Sequence, residues 1–158
     1  MRRLIIAAAV MLGGLTLTGT LFMVSNSAPK VPPVSARQVQ DNRPYVIKLH
    51  ARWCPVCMAT RDIWAKVQAT YAGRVKFVVF DFTSAATTAA SRTEAERLGL
   101  APVFDEYEGE TGSVLIVNGT SRQVTQRLHG NRDLNDYNVA VDTVLQTLLN
   151  SARSTRYP

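Results

Sequence analysis

The passage that most restricts this chain is "YVIKLHARWCPVCMATRDIW", where a strand-like run leads within a few residues into two cysteines and then a helix. Residues 45–51 are apolar and partly β-branched, which predicts a strand. Residues 55–71 bring Cys57, Trp64, Val67 and Tyr71 near one face of a helix, and Gly73 follows as its stop signal. Cys54 and Cys57 are the only cysteines of the chain. Their spacing is open to three readings: a structural disulfide, half of a metal site, or a reactive dithiol. A disulfide across so short a loop would constrain the unfolded chain little.

Redox chemistry suits the spacing better. Cys54 falls where strand gives way to helix, an exposed corner where first-turn amides and the helix dipole favour an anion. Pro55 fits the first helical turn, because its missing N–H would be unpaired there anyway. Cys57 lies one turn further in. A Cys54 thiolate would attack a partner disulfide, and Cys57 would then attack Cys54 and release the product. Trp53 would form a flat apolar wall beside the sulfur.

The rest of the chain builds around this unit. Residues 75–82, "VKFVVFDF", predict an apolar strand buried on both faces. Residues 83–90 read as a loop, and helix begins near Ser91 and runs to Leu98, with Gly99 as a break. Pro102 opens a further short helix carrying Val103, Phe104 and Tyr107 on one side. Residues 112–119 and 122–130 predict a hairpin turning at Asn118-Gly119. Residues 134–150 form an amphipathic helix with Val141, Val144, Leu145, Leu148 and Leu149 inward. The order is β-α-β-α-β-β-α, a parallel pair joined through a helix and then a hairpin.

Arg2 and Arg3 precede an uncharged run from Leu4 to Val24, about long enough to cross a bilayer as a helix. Residues 1–28 are expected to be a signal peptide or, given the length of the run, a retained signal anchor. Either way the following residues are exported, as inner-membrane-anchored or secreted periplasmic protein. Residues 29–41, with Pro29, Pro32 and Pro33, read as a linker, residues 42–152 as the domain and 153–158 as a tail. From Asn42 onward 14 Lys and Arg face 11 Asp and Glu with no basic block, so no nucleic-acid partner is expected.

The "WCPVC" passage after a strand, inside this element order, resembles the thioredoxin superfamily across residues 42–152. With the apolar N-terminus and Pro-rich linker, the whole is similar to membrane-anchored, periplasm-facing thioredoxin-like proteins of bacteria. The resemblance implies a three-layer α/β/α sandwich with a mixed sheet of about four strands. It implies a thiol-disulfide oxidoreductase acting on protein thiols and disulfides, reset by a membrane electron donor or oxidant, with no cofactor. Cys54 would be the nucleophile and Cys57 the resolving thiol, with Trp53, Pro55, Val56, Lys48, Thr111 and Gly112 shaping the site.

The sequence departs from the family pattern in three places. Lys48 stands six positions before Cys54, where the family carries an acid. As a cation it would stabilise the Cys57 thiolate, with Asp81 as its candidate partner, or else run its stem along the core and place its amine in water. Gly112 stands where the family has a cis-proline, so its backbone would come close to Cys54, and the amide of Thr111 would remain for a substrate chain. Finally, "APVFDEYEGE" adds length, and its acids Asp105, Glu106, Glu108 and Glu110 would form a solvated helix face or one wall of the substrate surface. Two other readings stay open: a metallochaperone binding Cu(I) or Zn(II) through the thiolates with His50 or His129, and a non-catalytic binding module.

Overall fold

A computed structural model of the chain describes residues 41–154. The expected signal or anchor segment, most of the linker and the last four residues lie outside the described residues. Among the described residues, no helix is long and apolar enough to cross a membrane.

The elements are β1 (Tyr45–His50), α1 (Pro55–Ala59), α2 (Arg61–Thr70), β2 (Lys76–Asp81), α3 (Ala85–Leu98), α4 (Ala101–Glu106), β3 (Ser113–Val117), β4 (Val124–His129) and α5 (Leu134–Ser154). The sheet runs β2-β1-β3-β4, with β1 and β2 parallel and the other pairs antiparallel. This is the expected thioredoxin-like α/β fold. Alternation along β1 feeds two cores. Tyr45, Ile47 and Leu49 pack with Phe80, Ala95, Phe104 and Leu115 on the α3/α4 face, while Val46 packs with Val67, Tyr71, Ile116, Tyr137 and Val141 on the α2/α5 face. Each fully buried aliphatic or aromatic side chain contributes about 1.5–3 kcal/mol relative to exposure.

Several boundaries differ from expectation, each for a local reason. The helix expected over 55–71 is two helices, because the Thr60 hydroxyl bonds back to the Val56 carbonyl at 2.9 Å and the backbone breaks there. The strand at 76–81 is a sheet edge, so only Phe80 is fully buried and Val79 is 45 % exposed. The strand covered along its whole length is β3. Helix α3 starts at Ala85, six residues earlier than expected, because Ser84 and Thr87 form a capping box with Thr where Glu is usual. Asn118-Gly119 is not a two-residue turn: strand pairing ends at Val117 and resumes at Val124, and the Asn118 side chain accepts from the amides of Thr120 and Ser121. In α5 the inward residues are Tyr137, Ala140, Val141 and Val144, while Leu149 faces outward.

Candidate functional site: a dithiol at the end of the central strand

Strand β1 delivers the chain to the site. The Cys54 amide donates to the Ala51 carbonyl at 3.2 Å, closing the turn between strand and helix. Two bonds to Thr83 hold that turn: the Arg52 amide donates to the Thr83 hydroxyl at 3.0 Å, and the Trp53 indole N–H to its carbonyl at 3.3 Å. Thr83 is fixed in turn by Asp81, whose carboxylate accepts from its amide at 2.8 Å and from its hydroxyl. Sequence reasoning missed Thr83, since nothing in a lone threonine after a strand marks it as a brace.

Cys54 is the N-cap of α1, and its sulfur accepts the Cys57 amide at 3.1 Å. The helix-corner expectation therefore holds in its chemistry, although α1 is only five residues long and the direct amide contact replaces a long dipole. Both cysteines are free thiols. The Cys57 thiol points to the Leu49 carbonyl at 3.6 Å, an oxygen that also takes the Gly112 amide at 2.9 Å.

Exposure differs from expectation. Cys54 is only 3 % exposed and Cys57 2 %, so the leading sulfur is not on an open corner. Its neighbours in sequence Arg52, Trp53 and Pro55 are all exposed. Burial works against the Cys54 thiolate. The hydrogen bond from the Cys57 amide, with the polar influence of the Cys57 and Thr111 side chains and the Val56 amide, outweighs it and holds Cys54 below the usual thiol range. Burial, the Cys54 side chain and the Cys54 charge push the Cys57 thiol up, against lowering contacts from the backbone at Ala51 and Gly112. The two sulfurs are thus set apart, with the negative charge favoured on Cys54.

The other expected residues fall as follows. Trp53 is 62 % exposed on the rim, beside exposed Pro55 and half-buried Val56. Among the described residues the peptides are all trans, so no cis bond precedes Gly112. Its φ is +87°, and its open side meets Val56 rather than Cys54. The Thr111 amide is already used, donating to the Gly109 carbonyl at 2.7 Å, so the expected substrate-pairing amide is not available; the Thr111 side chain is among the groups that lower the Cys54 thiol.

Lys48 is 7 % exposed, its stem packed along the core and its ammonium 5.5 Å from the centre of the Trp64 ring. Asp81 is not its partner, being turned to Thr83 at the far end of β2. The acids after Pro102 are mostly tied to the scaffold, Asp105 and Glu108 to Arg92 and Glu110 to Arg127, rather than forming a substrate wall. Neither His50 nor His129 completes a metal set: among the described residues no three His, Cys, Asp or Glu side chains converge. His129 bonds the buried Ser113 hydroxyl at 3.0 Å instead.

Residues 35–96, from ahead of β1 through most of α3 and including both cysteines, match the Thioredoxin family model. Over these residues the chain is similar to the thioredoxin superfamily. Solved structures similar to this thioredoxin-fold chain include Trxlp from Edwardsiella tarda EIB202, at 14 % identity over 62 % of this chain and 81 % of that one, with a TM-score of 0.43. A second is MTB DsbF, at 16 % identity over 65 % and 81 %, TM-score 0.46. A third is a thiol:disulfide interchange protein of the thioredoxin family from Chlorobium tepidum TLS, at 20 % identity over 66 % and 81 %, TM-score 0.43. No curated protein matches the chain significantly.

Proposed function

We propose that this chain is a thiol-disulfide oxidoreductase exchanging disulfides with protein thiols through Cys54 and Cys57. The observation that carries the reading is the 3.1 Å bond from the Cys57 amide to the Cys54 sulfur. It supports an anion-favouring first sulfur, with the Cys57 thiol, pushed up by burial, one turn behind it. The Cys54 thiolate attacks a partner disulfide, breaking that S–S bond and forming a mixed disulfide. Cys57 then loses its proton, attacks the Cys54 sulfur and expels the partner thiolate. Exposed Trp53 and Met58, 62 % and 60 % exposed, give the approach to Cys54 an apolar rim.

The apolar, Arg-led N-terminus supports an exported setting, with the domain on the periplasmic side, either anchored or released. A protein there needs a membrane donor or oxidant to reset its couple. Reduction of insulin disulfides by the full-length chain in the presence of a thiol reductant tests the activity. Turnover lost in both Cys54→Ser and Cys57→Ser is expected; turnover unaffected by either would overturn the reading.

A further inference from the structure

A shallow cleft opens beside the dithiol. It measures about 290 Å³ and is lined by Pro55, Val56, Ala59, Thr60, Gly130 and Arg132, so it begins with the residues that directly follow Cys54. That volume falls just below the range of small-molecule sites and suits about one or two amino-acid side chains. One wall is apolar, made by Pro55 and Val56 in the first turn of α1 and Ala59 at its end. Thr60 adds a hydroxyl whose proton is already given to the Val56 carbonyl at 2.9 Å. Opposite, the chain leaves β4 through Gly130, where a Cβ would stand 3.3 Å from Val56 Cγ1. A side chain at that position would crowd Val56 and narrow the cleft.

The charge in this lining is Arg132. It is exposed, and among the described residues no ion pair includes it. Two acids follow it closely in the chain, and both are engaged elsewhere. Asp133 accepts the Asn135 amide at 2.8 Å, and Asp136 accepts from the Asn131 side-chain amide at 2.6 Å. Other arginines are matched to acids of the fold, such as Arg92 to Asp105 and Glu108, and Arg97 to Glu94. Arg132 therefore offers its guanidinium at an apolar cleft next to the reactive cysteine, with no carboxylate of this chain upon it.

A guanidinium is shaped to hold a carboxylate by two parallel N–H···O bonds. We propose that this cleft is a specificity subsite, in which Arg132 binds the carboxylate of an Asp or Glu close to the reacting cysteine of a substrate protein. This rests on the oxidoreductase reading above and adds its substrate class, disulfides flanked by acidic residues. The substrate cysteine is tied to Cys54, and an extended chain advances about 3.3–3.6 Å per residue. A near neighbour of that cysteine thus passes over Pro55 and Val56. Its stem packs on the apolar wall, and its carboxylate meets Arg132. Arg132 selects which disulfide is presented and leaves the exchange to Cys54 and Cys57.

The test uses the full-length Cys57→Ser chain and three peptide dimers, each joined by one disulfide and alike except for Glu, Gln or Lys on both sides of the cysteine. The Cys54 thiolate attacks one peptide sulfur, the peptide S–S bond breaks, and the second peptide leaves as a thiolate. The rate of mixed-disulfide formation is followed by intact mass and divided by the rate of the same peptide with 2-mercaptoethanol, which removes the peptide's own reactivity. The Glu peptide is expected to react about threefold to tenfold faster than the Gln peptide, and the Lys peptide no faster than the Gln peptide. With Arg132→Gln added, the Glu-to-Gln ratio should fall to about one, and with Arg132→Lys part of it should remain. Arg153→Gln, which removes the same charge at the far end of α5, should keep the full ratio.

No Glu preference in the Cys57→Ser chain, a preference that survives Arg132→Gln, or an equal loss in Arg153→Gln would overturn the subsite while leaving the oxidoreductase reading in place. No mixed disulfide on Cys54 with any of the three peptides would overturn both.

Discussion

Gly112 and Val56 interlock: a Cβ added to Gly112 would stand 2.7 Å from Val56 Cγ1 and 2.9 Å from Val56 Cβ. The loop that enters β3 and the helix that carries the dithiol therefore meet through a missing side chain. With φ at +87°, the position is strained for any L-residue besides being full. Gly112→Ala is expected to cost about 2–4 kcal/mol, adding backbone strain to overpacking. Val56→Ala in the same chain should return the overpacking part and leave the strain. Urea midpoints of the two single variants and the double variant check this.

Thr83 links Asp81 to the turn before Cys54. Thr83→Val removes a hydroxyl that serves both the Asp81 carboxylate and the Arg52 amide, and leaves that amide without its partner. A loss of about 1–3 kcal/mol is expected. Because the Trp53 indole leans on the Thr83 carbonyl, its fluorescence should also change. Urea denaturation and the emission spectrum of the reduced chain measure the two effects.

The reduced dithiol has a pH signature of two opposite parts. Cys54, held low in the folded chain, contributes stability that is present above the unfolded thiol value and lost as pH falls through its folded value. Cys57, held high, contributes stability that is present below the unfolded value and lost as pH rises through its folded value. Alkylation of Cys54 should accordingly begin below the usual thiol range. Thr111→Val removes a side-chain hydroxyl that lowers the Cys54 thiol and should move that onset to higher pH. Rate against pH for the two chains, with the modified cysteine identified by mass spectrometry, is the check.

Gly119 is required by crowding and not by a tight turn. A Cβ there would run into the carbonyl oxygens of Asn42 and Arg43. Backbone oxygens cannot rotate aside, so Gly119→Ala should cost about 3 kcal/mol or more. It should also speed amide exchange in the segment leading to β1, which hydrogen-exchange mass spectrometry reads out.

Much of this architecture could be read from residue patterns because it follows from local chemistry. The alternation of Tyr45, Ile47 and Leu49 against Val46 fixed a central strand with two faces, and Cys54-Pro55 marked the helix start. What could not be read depends on long-range placement. The apolar run of β2 looks the same at a sheet edge as in its middle; only the strand order exposes Val79. The Thr87 half of the α3 capping box resembles ordinary loop composition.

At the site the residue set was legible and its partnerships were not. Asp81 and Lys48 lie on neighbouring strands, yet register sets Lys48 opposite Val79 and leaves Asp81 to Thr83. Likewise a chain position cannot show that the Thr111 amide is spent on Gly109, or that the leading cysteine is only 3 % exposed.

The most direct measurement takes the full-length Cys57→Ser chain and oxidised glutathione, with Cys54→Ser beside it, and follows the mixed disulfide by intact mass. The account predicts that Cys57→Ser accumulates a stable glutathione adduct on Cys54, faster than Cys54→Ser acquires one on Cys57. An adduct that forms no faster on Cys54 than on Cys57, or none at all, would contradict it.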